Sequence, residues 1–218
     1  MSRRASSYLA LIAGFCLAAA AAVSSQGPAP ISLPAPAMEG GKPLLQVLRE
    51  RKSSREFASE ALPDRVLSNL LWAAWGVNRP DGRRTAPSAS NRQEIEIFVV
   101  RADGAYLWDA KANTLQLVAP GDLRATTGTQ PFPATAPVNL VYVADMTKAG
   151  RPATDPQQML NIGADAGFIS ENVYLFCASE GLATVVRASV PKDALAKALK
   201  LRENQIIVLT QTVGYPKP

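Results

Sequence analysis

Histidine occurs nowhere in this chain of 218 residues. Its absence excludes Ser-His-Asp and Cys-His catalysis and the usual zinc sites. Cysteine is nearly absent too, with only Cys16 and Cys177. Cys16 falls in an N-terminal segment expected to be removed, which leaves one thiol and no intramolecular disulfide. Cys177 lies in an apolar helical pattern and reads as a buried, inert thiol. Charge is sparse as well: 19% of residues are charged and the net is +5, or +3 once Arg3 and Arg4 of the leader are discounted. That balance is too mild for a nucleic-acid partner, and no basic run is interleaved with aromatics. Chemistry must therefore come from carboxylates, lysines or a bound cofactor.

Ser2-Arg3-Arg4 makes a positive start, and Tyr8 to Val23 is apolar and uncharged. The stretch is short for a membrane span and is followed by small residues, as in a secretory signal peptide. A signal over 1–24 is expected, cleaved after Ala22 or Ser24, with an uncleaved anchor as the alternative. Membrane contact is expected only through this segment. Phe15 before Cys16 argues against lipidation, where a small residue is needed. The arginine pair fits twin-arginine export, which carries folded, cofactor-loaded proteins, although Ser6 and Ser7 replace the apolar residues expected next. Either route predicts a periplasmic or secreted protein. Residues 25–42, with Pro28, Pro30, Pro34, Pro36, Gly40 and Gly41, read as an extended linker. The folded domain is expected over 43–218.

Leu44, Leu45, Val47 and Leu48 form a short helical pattern that closes into the charged turn Arg49 to Arg55. Val66, Leu67, Leu70, Leu71 and Ala74 predict a helix from Pro63-Asp64 to Gly76. Ile95 to Val100 reads as a strand, Ala105–Trp108 and Thr114–Val118 as a hairpin, and Val138 to Ala144 as a fully covered strand. The longest helix is predicted over Pro156 to Glu180, ended by Gly181, with a short helix over Pro191 to Leu199 and a strand over Gln205 to Val213. Strands alternating with helices predict an α+β or α/β sandwich.

Three features can carry chemistry. Arg51-Lys52-Ser53-Ser54-Arg55-Glu56-Phe57 sets three cations and two hydroxyls at a helix exit, a set able to surround a phosphate; a solvated basic turn is the plainer alternative. Pro87-Ser88-Ala89-Ser90-Asn91-Arg92-Gln93 offers small residues beside polar ones, suited to a planar ligand, or else only an entry to the next strand. Asn172 lies on the long helix, which stops at Gly181 and leads into Leu182-Ala183-Thr184; a glycine cap alone would explain that end.

In this order and spacing, with Gly-Tyr-Pro at 214–216, the chain resembles the nitroreductase family of FMN enzymes over Leu44 to Pro216. Details such as Tyr106-Leu107-Trp108 are similar to the short branch that includes SagB-type peptide azoline dehydrogenases. The resemblance implies a mixed central sheet covered by helices, and a homodimer with two FMN sites at the subunit interface. It implies that Arg51, Lys52, Ser53 and Arg55 meet the phosphate, ribityl chain and pyrimidine edge. Pro87, Ser88, Ala89 and Asn91 would pack by the flavin from the other subunit. Val186, Ala188 and Ser189 would bring backbone amides to the reactive ring, stabilising its reduced, anionic form. No side-chain catalyst and no metal are implied, since the flavin carries the hydride chemistry. The partners implied are a small-molecule electron donor, NAD(P)H or another, and an oxidised acceptor such as a nitroaromatic or quinone, turned over ping-pong. A scaffold that binds flavin without turnover, or a structural domain, are the alternatives. Arg187 departs from the apolar or acidic residue common there, and the chain stops at Lys217-Pro218 where relatives often add basic residues. Phe132, in the irregular stretch Gly121 to Pro137, is a candidate to lie over the flavin.

Overall fold

The computed structural model describes residues 28–218; the leader and its cleavage sites lie outside the described residues. The chain forms β1 (Ile31–Ser32), α1 (Leu44–Glu50), α2 (Asp64–Trp75), and then a meander of β2 (Ile95–Arg101), β3 (Gly104–Asp109) and β4 (Thr114–Pro120). After an irregular loop come β5 (Val138–Asp145), α3 (Met146–Ala149), α4 (Pro156–Glu180), β6 (Ala183–Arg187), α5 (Lys192–Ala198) and β7 (Gln205–Gly214). The α+β class with a helix-covered sheet is as expected.

The seven strands lie in the order β1-β4-β3-β2-β5-β7-β6. Where the resemblance implies a mixed sheet, every pairing among the described residues is antiparallel. The reason is the placement of β7. The crossover through α4 makes β5 and β6 run the same way, as crossovers do. β7 then enters between them, so two antiparallel pairs replace one parallel pair.

Central β5 is buried at all eight positions, because each face of the sheet is covered. Leu140, Tyr142 and Ala144 point into the main core with α2 and α4. Val141 and Val143 point the other way, into a cluster with Leu195 and Leu199 around α5. The period-2 alternation of a strand thus feeds two apolar layers, which is why its sequence is apolar without interruption. On the main face, α2 presents Leu67, Leu70 and Leu71, and α4 presents Ile162, Ala166, Ile169 and Val173, all 0% exposed. Truncating one of these leucines to Ala costs about 2–5 kcal/mol.

α4 has the predicted bounds because both ends are locally encoded. Asp155 accepts the Gln157 N–H at 2.9 Å and Pro156 takes the first turn, a favoured pairing of cap and first residue. Gly181 ends the helix at φ 70°, a left-handed conformation that costs glycine least. Spanning 25 residues, the helix is about 38 Å long, so its two halves can serve different sites.

The proline-rich stretch is docked on the sheet rather than loose. Ile31 and Ser32 pair with Leu115 and Thr114 at the sheet edge. Leu33 is buried, and Asn113 Nδ2 donates to the Pro34 carbonyl at 2.9 Å. Prolines are tolerated on such an edge because no further strand needs their missing N–H. The folded unit therefore starts before Pro43. In α1 only Val47 is buried; Leu45 is 81% exposed, so the apolar pattern of this helix faces outward.

Candidate functional site

α1 stops at Arg51, whose N–H bonds the Val47 carbonyl, and the chain then runs beside the open edge of β6. Ser54 N–H donates to the Thr184 carbonyl at 2.9 Å, Ala58 N–H to Tyr215 at 2.9 Å, and Phe57 bridges to Pro216. Tyr174 of α4 ties this segment to the strand. Its Oη lies 2.8 Å from Ser53 Oγ and accepts the Val186 N–H at 3.0 Å. The Arg51 guanidinium lies 5.2 Å from the centre of its ring. Because the phenol already accepts from Val186, its own proton can go to Ser53, leaving the serine proton for a ligand. Tyr174 belongs to none of the three sequence motifs. The available signal is general: a buried tyrosine hydroxyl needs a polar partner.

Arg51, Lys52 and Arg55 take part in no ion pair among the described residues. Arg51 is half-buried, while Lys52 and Arg55 are exposed. Cations without carboxylate partners, beside a serine with a donor to spare, are a donor set suited to a phosphate. They do not all share one space. A cleft of about 590 Å³ is lined by Lys52, Ser54, Glu56, Gly181, Thr184 and Lys217, among others, but not by Arg51, Ser53 or Arg55. The segment thus sends its even-numbered residues into the cleft and its odd-numbered ones elsewhere. Lys52 belongs with Lys217 rather than with Arg51.

The second motif sits at the other half of α4. Ala89 N–H donates to both oxygens of Asp165, at 3.1 and 2.9 Å, and Ser88 Oγ accepts the Gln93 N–H at 3.1 Å. Gln93 Nε2 donates to Asn91 Oδ1 at 3.0 Å. Ser90, Asn91 and Gln93 have φ of 54°, 52° and 51°, so the turn is held in a conformation that non-glycine residues seldom adopt. Asp165 precedes Tyr174 by nine residues, about 14 Å along the helix axis. One chain therefore joins Arg51 and Ser53 to Val186, but does not bring Pro87, Ser88, Ala89 or Asn91 to them. Ala188 and Ser189 follow the end of β6 as exposed residues, with the Ser189 carbonyl accepting the Thr129 N–H at 3.3 Å.

Two buried ionisable groups flank these motifs. Glu94 is 1% exposed and neither carboxylate oxygen has a partner. Burial, and then the carboxylate of Asp165, push its pKa up to about 7. Arg187 is 6% exposed, and desolvation pushes its pKa down to about 10. Phe132 packs against Phe57, ring centres 5.6 Å apart, and covers the Arg187 guanidinium at 5.4 Å. Asn172 Nδ2 donates to the Ala74 carbonyl at 3.4 Å, which makes it a tie between α4 and α2. Cys177 is a free thiol, buried, whose pKa burial pushes well up, in keeping with an inert residue.

The profile of the Nitroreductase family matches residues 48–215, from the last turn of α1 to Tyr215. The chain belongs to the nitroreductase family. A Methanocaldococcus jannaschii protein named as a nitroreductase is 29% identical over 176 residues, covering 76% of this chain and 88% of the relative. A crystal structure of a protein named as a nitroreductase from Ralstonia eutropha JMP134 has 40% identity and a TM-score of 0.81, covering 87% of this chain and 90% of that one. The NADPH:FMN oxidoreductase of Vibrio harveyi, solved with NAD+, has 19% identity and a TM-score of 0.60 over 80% of this chain and 69% of that one; that likeness is one of fold. This nitroreductase-family chain is thus an oxidoreductase, which accords with the absence of histidine, since redox chemistry of this kind needs no histidine-based triad.

Proposed function

We propose that this nitroreductase-family chain is an exported, FMN-dependent oxidoreductase acting as a homodimer. The observation that carries the reading is the group Arg51, Ser53 and Tyr174, which couples one cation, in no ion pair among the described residues, to the backbone of β6 at Val186. The donor set fits FMN: Arg51 and Arg55 match a phosphate and the polar edge of a ring, and Ser53 has a hydroxyl proton to give. Lys52 and Lys217 would add cationic charge from the adjoining cleft. Val186, Ala188 and Ser189 would carry the backbone along the ring. A bound flavin would supply hydride transfer between a reduced donor, NAD(P)H or another, and an oxidised acceptor such as a nitroaromatic or quinone.

The placement of the two half-sites supports the dimer. Pro87, Ser88, Ala89 and Asn91 sit beside Asp165, at the other half of α4 from Tyr174, and a second copy would bring them to the site at Arg51. The outer face of α4 supports that assembly. Leu160 is 65% and Phe168 48% exposed, and between them Gly163 and Gly167 face open space, so a partner helix can approach closely. Apolar side chains flanking small residues suit a helix–helix seam. The Ser2-Arg3-Arg4 leader with its apolar stretch supports export.

The test is the visible spectrum of the purified mature protein with FMN, before and after NADH or NADPH. Bound flavin bleached by either donor is expected, followed by recovery on adding a quinone or nitroaromatic. Protein that stays colourless with FMN refutes the reading. Flavin that binds but is reduced by no donor selects the scaffold alternative.

A further inference from the structure

Arg187 is a buried cation whose partners are all neutral. Nη1 donates to the Thr127 carbonyl at 2.8 Å, and Nη2 donates to Asn139 Oδ1 at 3.2 Å and Thr212 Oγ1 at 2.6 Å. Nε is buried without a partner. Phe132 closes over the guanidinium. No ion pair with Arg187 occurs among the described residues. Burying an uncompensated ion costs several kcal/mol, and the chain makes room for this one. A Cβ on Gly128 would collide with Nη1, although the extended φ of −173° at Gly128 asks for no glycine. A neutral donor could tie the same loop to β6 without that cost, so the charge itself needs a use.

Its backbone sits between Val186 and Ala188, the stretch assigned above to the flavin ring. We infer that Arg187 is the buried counter-charge of the cofactor, a positioning residue that acts through its field rather than by contact. When the flavin ring takes up two electrons and one proton, it gains one negative charge. A cation with no carboxylate beside it stabilises that form over the oxidised one. At a separation on the order of 10 Å and an effective dielectric near 20, one unit charge shifts such a balance by roughly tenfold. Thr127, Asn139, Thr212 and Phe132 hold the guanidinium in place without neutralising it. The inference rests on the FMN reading.

The experiment is a dithionite titration of FMN bound to the full mature protein, against a reference dye, for wild type, Arg187→Gln and Asn139→Asp. The readout is the ratio of affinities for reduced and oxidised FMN, with oxidised FMN binding measured separately. Both variants are expected to lower the ratio about tenfold, while oxidised FMN binds within about threefold of wild type. Arg187→Lys, which keeps a charge, retains most of the ratio. Asn139→Asp keeps the arginine and sets a carboxylate against Nη2, so it decides the matter if Arg187→Gln does not fold. An unchanged ratio in Asn139→Asp, with normal binding of oxidised FMN, overturns this inference alone. Wild-type protein that takes up no FMN overturns both readings.

Discussion

Replacing Glu94 by Gln is expected to stabilise the protein above neutral pH relative to its effect at pH 5. Glu94 is buried at the entry to β2, with Asp165 of α4 beside it and Arg92 nearby. Its pKa rises from 4.5 to about 7, first through burial and then through Asp165. A carboxyl whose folded pKa is raised binds its proton more tightly in the folded state. The resulting stability is fully present below about 4.5 and is lost as pH climbs through about 7. A tenfold change in proton affinity is worth about 1.4 kcal/mol, so the loss between pH 5 and pH 8 is on the order of 2–3 kcal/mol. Gln cannot titrate, and its amide can donate to Asp165 as the protonated acid would. Urea unfolding of wild type and Glu94→Gln at both pH values is the assay. The stability difference between them should shift by roughly 2–3 kcal/mol in favour of the variant at pH 8. A pH-independent difference, or a variant that suffers more at pH 8, would refute the reasoning. The effect should be local as well, since Asp165 also holds the Ala89 N–H.

Other perturbations probe separate parts of the molecule. Tyr174→Phe strands the half-buried N–H of Val186 and frees Ser53, costing about 1 kcal/mol by chemical denaturation and weakening FMN uptake. Gly128→Ala forces Arg187 from its seat and should lower the unfolding midpoint; an unchanged midpoint would mean that the 127–129 loop yields freely. Leu160→Glu, on the exposed face of α4, should turn a dimer into a monomer in sedimentation, and a variant that stays dimeric would move the seam elsewhere.

The parts of the fold legible in the sequence are those encoded locally. α4 announces itself by Asp155-Pro156 at one end and Gly181 at the other, and β5 by an apolar run that only a doubly covered strand needs. β1 is hidden because its partner, β4, lies more than 80 residues away and its prolines mimic a linker. The antiparallel sheet is hidden for a related reason: where β7 inserts depends on the packing of both faces, not on its own residues. At the site, Arg51, Ser53 and Val186 are legible through the family resemblance, yet Tyr174, which joins them, is 121 residues from Ser53. Glu94 belongs to none of the sequence motifs, and only the fold sets Asp165 beside it. Arg187 stands out in sequence as a departure from the family pattern. That it is buried without a carboxylate emerges only when Thr127, Asn139 and Thr212 converge on it.

The most direct measurement is titration of the mature protein with FMN, followed by flavin fluorescence, in wild type and in the double variant Arg51→Ala, Arg55→Ala. Each guanidinium would make charge-assisted bonds worth about 1.5–3 kcal/mol, so losing both should weaken binding by roughly 100-fold or more while the fold, read by circular dichroism, is kept. Tight binding by wild type and a loss of that size are the predicted result; equal affinity in the two proteins would contradict a flavin site at Arg51 to Arg55.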